Sequence, residues 1–371
     1  MKTEKILHPF FNESAILFPV LLLAGMGIIM VYSASSALAL EKFGNPRFYM
    51  QRQLLFFFLG FGAMFVLSVF PFQLLKILAY FFLVLAVVLL CAVHVPTLGH
   101  RAGGAYRWIK IGNFTFQPSE FVKFALIVYL AYSLSKKQDM IKDFSVGFVP
   151  HGIVFIILAI LVMTQPDFGT VMILGIITWT MMFIAGVKII YLIMPFPLLI
   201  PFAYFFVYKV GYRMNRIFAF LHPWDDPMNT GYQITHSLKA FGSGGLLGKG
   251  IGLGIQKLHY LPEPHTDFIL SVIGEELGLA GVIFTLFLYS VIIWKGAKIA
   301  RNSENIFGAL LAAGITICLG IQVIINAGVA LGVLPTKGLT LPFLSYGGTS
   351  LIVNMACMGI LMNIGEANAN Q

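Results

Sequence analysis

Residues 74–95 read LLKILAYFFLVLAVVLLCAVHV, an apolar run in which Lys76, near the start, is the one Asp, Glu, Lys or Arg. About 20 such residues wound as an α-helix cross a bilayer, because a helix satisfies every backbone N–H and C=O within its own segment. Working outward, further apolar runs lie near 15–39, 54–70, 119–133, 148–163, 168–185, 189–210, 268–294, 306–331 and 346–364. Composition agrees with them. Hydrophobic residues fill 58% of 371 positions and charged residues 11%, against about 25% charged in a chain that must coat a soluble body. The expectation is an all-α integral membrane protein: one polytopic domain of about ten transmembrane helices with large extracytoplasmic loops near 96–118, 211–267 and 332–345. Pro195, Pro197 and Pro201 predict a kink in the seventh span. The three cysteines, Cys91, Cys318 and Cys357, lie within apolar runs and read as small core residues. No cleavable signal peptide is expected, since the first apolar run is long enough to span.

Ten spans put both termini on one side. The short loops there carry Lys136, Lys137, Lys142, Lys295, Lys298 and Arg301, and the N-terminal tail carries Lys2 and Lys5. Basic short loops stay in the cytoplasm, whereas long loops translocate largely regardless of charge. Both termini are therefore expected in the cytoplasm and the three long loops outside. The chain carries 24 Lys and Arg against 15 Asp and Glu, a net charge of +9. No basic helix or RNA motif accompanies that charge, so nucleic acid is not an expected partner. Anionic headgroups or a phosphate-bearing lipid substrate suit it better.

Chemistry concentrates in a few loops. YLPEPHTD at 260–267 leads into the eighth run, so Asp267 stands where a polar loop meets the membrane. Its carboxylate is either a helix cap or a group that meets water and a lipid-borne substrate together. Glu275 and Glu276 follow eight and nine residues later, about 12 Å along a helix. Acids at that depth are functional candidates or pair with basic groups, and Gly274 and Gly278 beside them allow close helix approach. RAGGAYRWIK at 101–110 supplies Arg101 and Arg107, able to grip phosphate oxygens bidentately. QPSEFVK at 117–123 sets Glu120 and Lys123 three residues apart on one helix face, where they can pair. It is echoed by QPD at 165–167, which reads as a second helix start. The glycine-rich FGSGGLLGKGIGLG at 241–254 fails as a P-loop, because Gly250 follows Lys249 where Ser or Thr is required. It reads as a tightly turning loop beside a substrate. The eight histidines show no paired metal spacing.

Together these motifs resemble the SEDS family (shape, elongation, division and sporulation), ten-span peptidoglycan polymerases. The resemblance covers nearly the whole chain, through 103–111, 117–123, 165–170, 241–252, 258–278 and 333–351. LPTKGLTLPFLSYGGTS at 334–350 is the most specific stretch, and its Thr336-Lys337-Gly338 is similar to the division branch more than the elongation branch. Thr349 departs mildly from the second Ser of many relatives.

The resemblance implies an inverting glycosyltransferase that joins lipid II, an undecaprenyl-pyrophosphate-linked disaccharide-pentapeptide, into β-1,4 glycan. Asp267 would be the catalytic acid–base group. Arg101, Arg107, Glu120, Lys123, Glu275, Lys337 and Ser345 would form the substrate site. A divalent cation, Mg or Mn, fits such chemistry without a ligand signature in the sequence. The implied partners are a class B penicillin-binding protein and other divisome proteins, at the septum. The partner's anchor helix is expected on the eighth and ninth spans, where Gly281, Gly308 and Gly314 leave room. A lipid II transporter and a scaffold are the alternatives. Polar groups gathered at one face rather than the midplane favour an enzyme.

Overall fold

Proline and glycine breaks between apolar runs set the helix ends, and the helices then pack by burying their small and apolar faces. The structure, a computed structural model, describes residues 14–102, 105–112, 114–197, 201, 204, 220–258 and 260–369. The chain rises and falls through α1 (Ser14–Phe43), α2 (Phe48–Val69) and α3 (Leu74–Ala92). α4 (Pro118–Lys136), α5 (Val149–Met163), α6 (Phe168–Ala185) and the short α7 (Ile189–Ile193) follow. α8 (Tyr232–Gly244), α9 (Ile269–Asn302), α10 (Ile306–Ala330) and α11 (Gly348–Ala369) complete it. Among the described residues, eight helices are long and apolar enough to cross a membrane. α4, 19 residues long, adds a ninth helix of spanning length, its polarity raised by Glu120, Lys123 and Lys136. The expected seventh span, 189–210, lies largely outside the described residues.

α10 is the central helix. It buries 78% of its most apolar window and α11 buries 72%, whereas α3 buries 22% and presents the rest outward. Two expectations change here. Gly308 and Gly314 face inward, where an added Cβ would meet Phe72 at 3.1 Å and Ile127 at 2.7 Å. They serve packing within this chain, so they leave no room for an outside helix, and at Gly281 an added Cβ would strike Leu277. Cys91 is exposed on α3, while Cys318 and Cys357 are buried as expected.

One loop is not the irregular connection that an all-helical reading implies. Residues 99–116 form a three-stranded antiparallel sheet of β1 (Gly99–Ala102), β2 (Ala105–Ile111) and β3 (Phe114–Phe116), in that order. Ile111 pairs with Phe114, which leaves a two-residue connection headed by Gly112 at φ 60°. That is a hairpin turn with the positive φ that glycine adopts without strain.

α9 is not one continuous rod. Gly278 has φ 66° and ψ −165°, a region open essentially to glycine alone. At this break the glycine-rich loop inserts its backbone: Lys249 N and Gly250 N donate to the carbonyls of Glu275 and Glu276, and Leu279 N and Ala280 N donate to Gly245 and Leu246. The carbonyls and amides freed by the break are thereby satisfied. The segment after the break, 279–302, is about 36 Å long, enough to cross a membrane alone. The nine residues before it belong to the face of the bundle that carries the loops, the upper face, and α8 packs beside them through Ser237 Oγ, 2.7 Å from Ser271 Oγ.

Candidate functional site on the upper face

Five connections meet on the upper face, and two of them behave as one piece. Tyr346 N donates to the His265 carbonyl at 2.8 Å, and the Ser345 hydroxyl donates to the Thr266 carbonyl while accepting from Leu341 N. Asn326, one of two amides in the largely apolar second half of α10, donates through Nδ2 to the carbonyls of Asp267 (3.0 Å) and Leu339 (2.7 Å). These bonds tie the loop carrying Asp267 to the loop 336–347. The Asp267 side chain is half-buried, and its Oδ2 lies 3.2 Å from where a Cβ on Gly338 would stand. α9 takes Phe268 as its N-cap, so Asp267 sits one residue ahead of the cap position.

A chain of contacts leads from Asp267 to the other basic groups. Next to Gly338, Lys337 reaches the Met172 sulfur and stands 5.0 Å over the Phe168 ring. Phe168 opens α6 beside Asp167, whose carboxylate caps the helix by accepting from Thr170 N (3.1 Å) and Thr170 Oγ1 (2.8 Å). Arg107, on β2, crosses to the same turn and donates to the carbonyls of Gln165 (2.9 Å) and Pro166 (2.7 Å). The sheet therefore exists, in part, to hold this guanidinium against the start of α6. Arg101 lies on β1 paired with Tyr106; its side chain is outside the described residues.

Glu120 and Lys123 lie deeper, on the first turns of α4. Lys123 Nζ is 2.8 Å from Glu120 Oε1 and 2.8 Å from Gln322 Oε1 on α10, with 3% of the lysine exposed. Glu120 Oε2 is buried with no partner among the described residues, next to a cavity of about 10 Å³ also lined by Asn354 and Cys318, room for about one water. The spacing argument for a pair thus holds, and the pair joins α4 to α10. Thr349 keeps a task for its hydroxyl, which accepts from Gln117 N at 3.0 Å just before α4.

Two of the expected substrate groups, Glu275 and Ser345, are buried and bonded within the protein. Glu275 is fully buried, with its oxygens taken by Lys249 Nζ (2.9 Å), Ile255 N (2.9 Å) and Gln256 N (3.0 Å). Glu276 accepts from Lys257 Nζ (2.6 Å), Ser33 Oγ (2.7 Å) and Gly252 N (3.0 Å). Both acids bind the glycine-rich loop to α9. They precede the break at Gly278, and Glu276 is bonded to Ser33 within α1. Ser345, 4% exposed, is likewise spent in joining the two loops.

His265 was not singled out by spacing. It is buried against Tyr49 (ring centroids 4.6 Å) and Tyr346 (5.8 Å), and this burial pushes its imidazole below the ordinary histidine range while Glu263 pulls the other way. Asn326 and Gln322 were also missed, although a lone amide inside an apolar run was the available signal. Among the described residues, no three His, Cys, Asp or Glu side chains gather in a metal-holding group.

The loop 336–347 descends between helices. Tyr289, whose Cα lies eleven residues or about 16 Å along α9 beyond Gly278, donates through its hydroxyl to the Pro342 carbonyl, so the loop reaches the flank of the spanning segment. A Cβ on Gly27 of α1 would meet the Phe343 carbonyl at 2.6 Å.

Comparison with known proteins follows this geometry. Residues 14–370 match the model of the FtsW, RodA and SpoVE family, described as cell cycle proteins. The chain is 46% identical over 352 residues to a probable peptidoglycan glycosyltransferase FtsW of Geobacter sulfurreducens, covering 95% of this chain and 94% of that one. It is 43% identical over 347 residues to the stage V sporulation protein E of Bacillus subtilis, covering 93% and 94%. Among solved structures, a chain of a peptidoglycan synthase complex that coordinates polymerization and crosslinking superposes with a TM-score of 0.80 at 26% identity, over 96% of this chain and 98% of that one. The rod shape determining protein RodA of Thermus thermophilus gives a TM-score of 0.70 at 25% identity, over 96% and 97%.

Proposed function

From the premise that this chain belongs to the FtsW, RodA and SpoVE family of cell cycle proteins, we propose that it is the peptidoglycan glycosyltransferase of septal wall synthesis. It polymerises lipid II at the outer face of the bacterial cytoplasmic membrane, with both termini in the cytoplasm. The observation that carries this reading is the half-buried Asp267 carboxylate beside Gly338, on two loops tied to each other. Lys337, next to Gly338, and Arg107 both reach the start of α6.

In the proposed step, a sugar hydroxyl of the acceptor attacks the anomeric carbon of the donor. The new C–O bond forms as the bond to pyrophosphate breaks, and the pair of electrons leaves with the pyrophosphate. Asp267 takes the hydroxyl proton as general base. Attack opposite the leaving group inverts an α-linked donor to a β-1,4 link, and one base suffices for that. Lys337 and Arg107 supply positive charge for the departing pyrophosphate. Lys123 and Glu120, spent on each other, hold α4 against α10 instead. A divalent ion, which commonly binds through one or two carboxylates plus phosphates, would neutralise the same leaving group.

The Geobacter relative bears the name of this activity, and the peptidoglycan synthase complex supports a crosslinking partner. For this chain that partner would be a class B penicillin-binding protein working with other divisome proteins. Purified lipid II, incubated with the purified chain with and without the transpeptidase, tests the reading. Asp267→Asn, folded as judged by its melting temperature, is expected to lose about 10²–10⁴ in rate. A near-normal rate from that variant moves the base elsewhere.

A further inference from the structure

The face opposite Asp267 carries a pocket that the polymerase chemistry does not use. It lies where the start of α3, the end of α4 and the turn between α9 and α10 converge, with a volume of about 450 Å³. Lys76, Tyr132, Ser135, Lys136, Glu304 and Asn305 supply its polar lining. Lys76 stands 5.2 Å over the Phe307 ring, and Lys136 stands 5.6 Å over the Tyr132 ring and 3.3 Å from its hydroxyl. Neither lysine forms an ion pair among the described residues. Aromatic faces orient these ammonium groups but leave their full charge to be met by something else. The N-terminus of α10 opens at the same place, capped by the Asn305 side chain on Phe307 N at 3.0 Å, and adds positive potential.

The surface above the pocket says what kind of anion fits. Ile77, Tyr80, Phe81, Val84 and Val88 of α3 are 77%, 54%, 59%, 61% and 55% exposed. Their spacing of three, four, seven and eleven residues draws one apolar track along the helix. From Ile77 to Val88 it rises about 17 Å, close to half of the roughly 30 Å hydrocarbon core. A soluble anion has no use for such a track, whereas an acyl chain does.

We propose that this pocket holds the phosphodiester headgroup of an anionic membrane phospholipid, with its acyl chains along α3. Lys76 and Lys136 bind the phosphate oxygens, and the Tyr132 hydroxyl adds a donor; Ser135, whose hydroxyl donates to the Tyr132 carbonyl at 2.9 Å, only lines the pocket. Glu304 offsets one positive charge and leaves the pocket near +1, which matches a singly charged phosphodiester better than a pyrophosphate.

The test uses the full chain purified in detergent and native mass spectrometry. The probes are phosphatidylglycerol, phosphatidylcholine and inorganic phosphate. Phosphatidylglycerol is expected to be retained more strongly than phosphatidylcholine and to resist displacement by excess inorganic phosphate. The double variant Lys76→Gln with Lys136→Gln should hold phosphatidylglycerol about 25-fold more weakly, from about fivefold per lysine near a lipid surface. Glu304→Gln, which keeps both lysines, should strengthen retention, and it keeps the test open if the double variant is poorly folded. Equal retention of phosphatidylglycerol by a folded double variant overturns the proposal. So does unchanged retention by Glu304→Gln. Displacement by inorganic phosphate would assign the pocket to a soluble anion and overturn the lipid reading.

Discussion

Replacing Glu276 by Gln asks whether buried acids are what hold the glycine-rich loop on α9. The side chain is fully buried, and its partners are Lys257 Nζ at 2.6 Å, Ser33 Oγ at 2.7 Å and Gly252 N at 3.0 Å. At that separation and an effective dielectric of about 20, attraction between the two charges is roughly 6 kcal/mol. Most of it is offset by the cost of dehydrating both ions. Glutamine keeps the shape and removes the charge, leaving Lys257, 9% exposed, buried and uncompensated at a cost of about 3–5 kcal/mol. The loop escapes that cost by opening locally, so amide exchange at Gly252, Ile255 and Gln256 should accelerate by about 10²–10⁴, at 1.36 kcal/mol per tenfold. Adding Lys257→Met removes the stranded charge and should restore most of the protection. Hydrogen exchange read by mass spectrometry on the full chain gives the answer. A Glu276→Gln protein that exchanges as slowly as the parent refutes the idea, and so does a double variant as loose as the single one.

Gly278→Ala forces a side chain into a glycine-only backbone region at about 1–3 kcal/mol and drives a Cβ into Gly248 N and Leu246 O; the melting temperature should fall by several degrees, with faster proteolysis between 245 and 258. Asn326→Ala strips a donor from the Asp267 and Leu339 carbonyls, at about 1–3 kcal/mol for each buried orphan; polymerisation and melting temperature should fall together, and full activity would show that loop alignment does not govern the chemistry. His265 has a folded pKa lowered from 6.5 by burial, so the unfolded chain takes up the proton first. Stability should be complete above about pH 6.5 and decline as the pH drops below it. His265→Gln should flatten the melting temperature between pH 7.5 and 5, and an unchanged slope would locate the acid sensitivity elsewhere.

Hydropathy made the spans legible because dehydration of an apolar helix is a local property: 74–95 announces itself without reference to any other segment. Asp267, Arg107 and Lys337 were readable for a related reason, since charges kept at the ends of apolar runs are conspicuous in any one loop. What joins them was not. Asn326 looks like an isolated amide until the two carbonyls it serves, 59 and 13 residues away, arrive beside it. What holds Glu275 and Glu276 was equally hidden, because nothing local in the apolar stretch around Leu277-Gly278-Leu279 reveals the helix break and the insertion of 245–250. The sheet at 99–116 was more accessible. Gly112 and Asn113 between YRWIKI and FTF form a two-residue hairpin signal, overlooked beside the phosphate-binding reading of its arginines.

The descent of the 336–347 loop to Pro342 changes how tolerance to substitution should be distributed over the bundle. Irregular backbone survives at that depth only while protein walls it off from hydrocarbon, and part of that wall is the bare flank of Gly27, against which the Phe343 carbonyl rests. A saturation scan of α1 should therefore show two unlike populations within one apolar stretch. Outward positions such as Phe18 and Ile29, 64% and 52% exposed, should accept almost any greasy side chain. Gly27 should reject even alanine, because a single methyl there pushes on the buried loop that aligns the carboxylate on the other side of the molecule's core. The mean hydropathy of the span treats those three sites as one stretch; the scan would separate them by whether they face lipid or a peptide carbonyl.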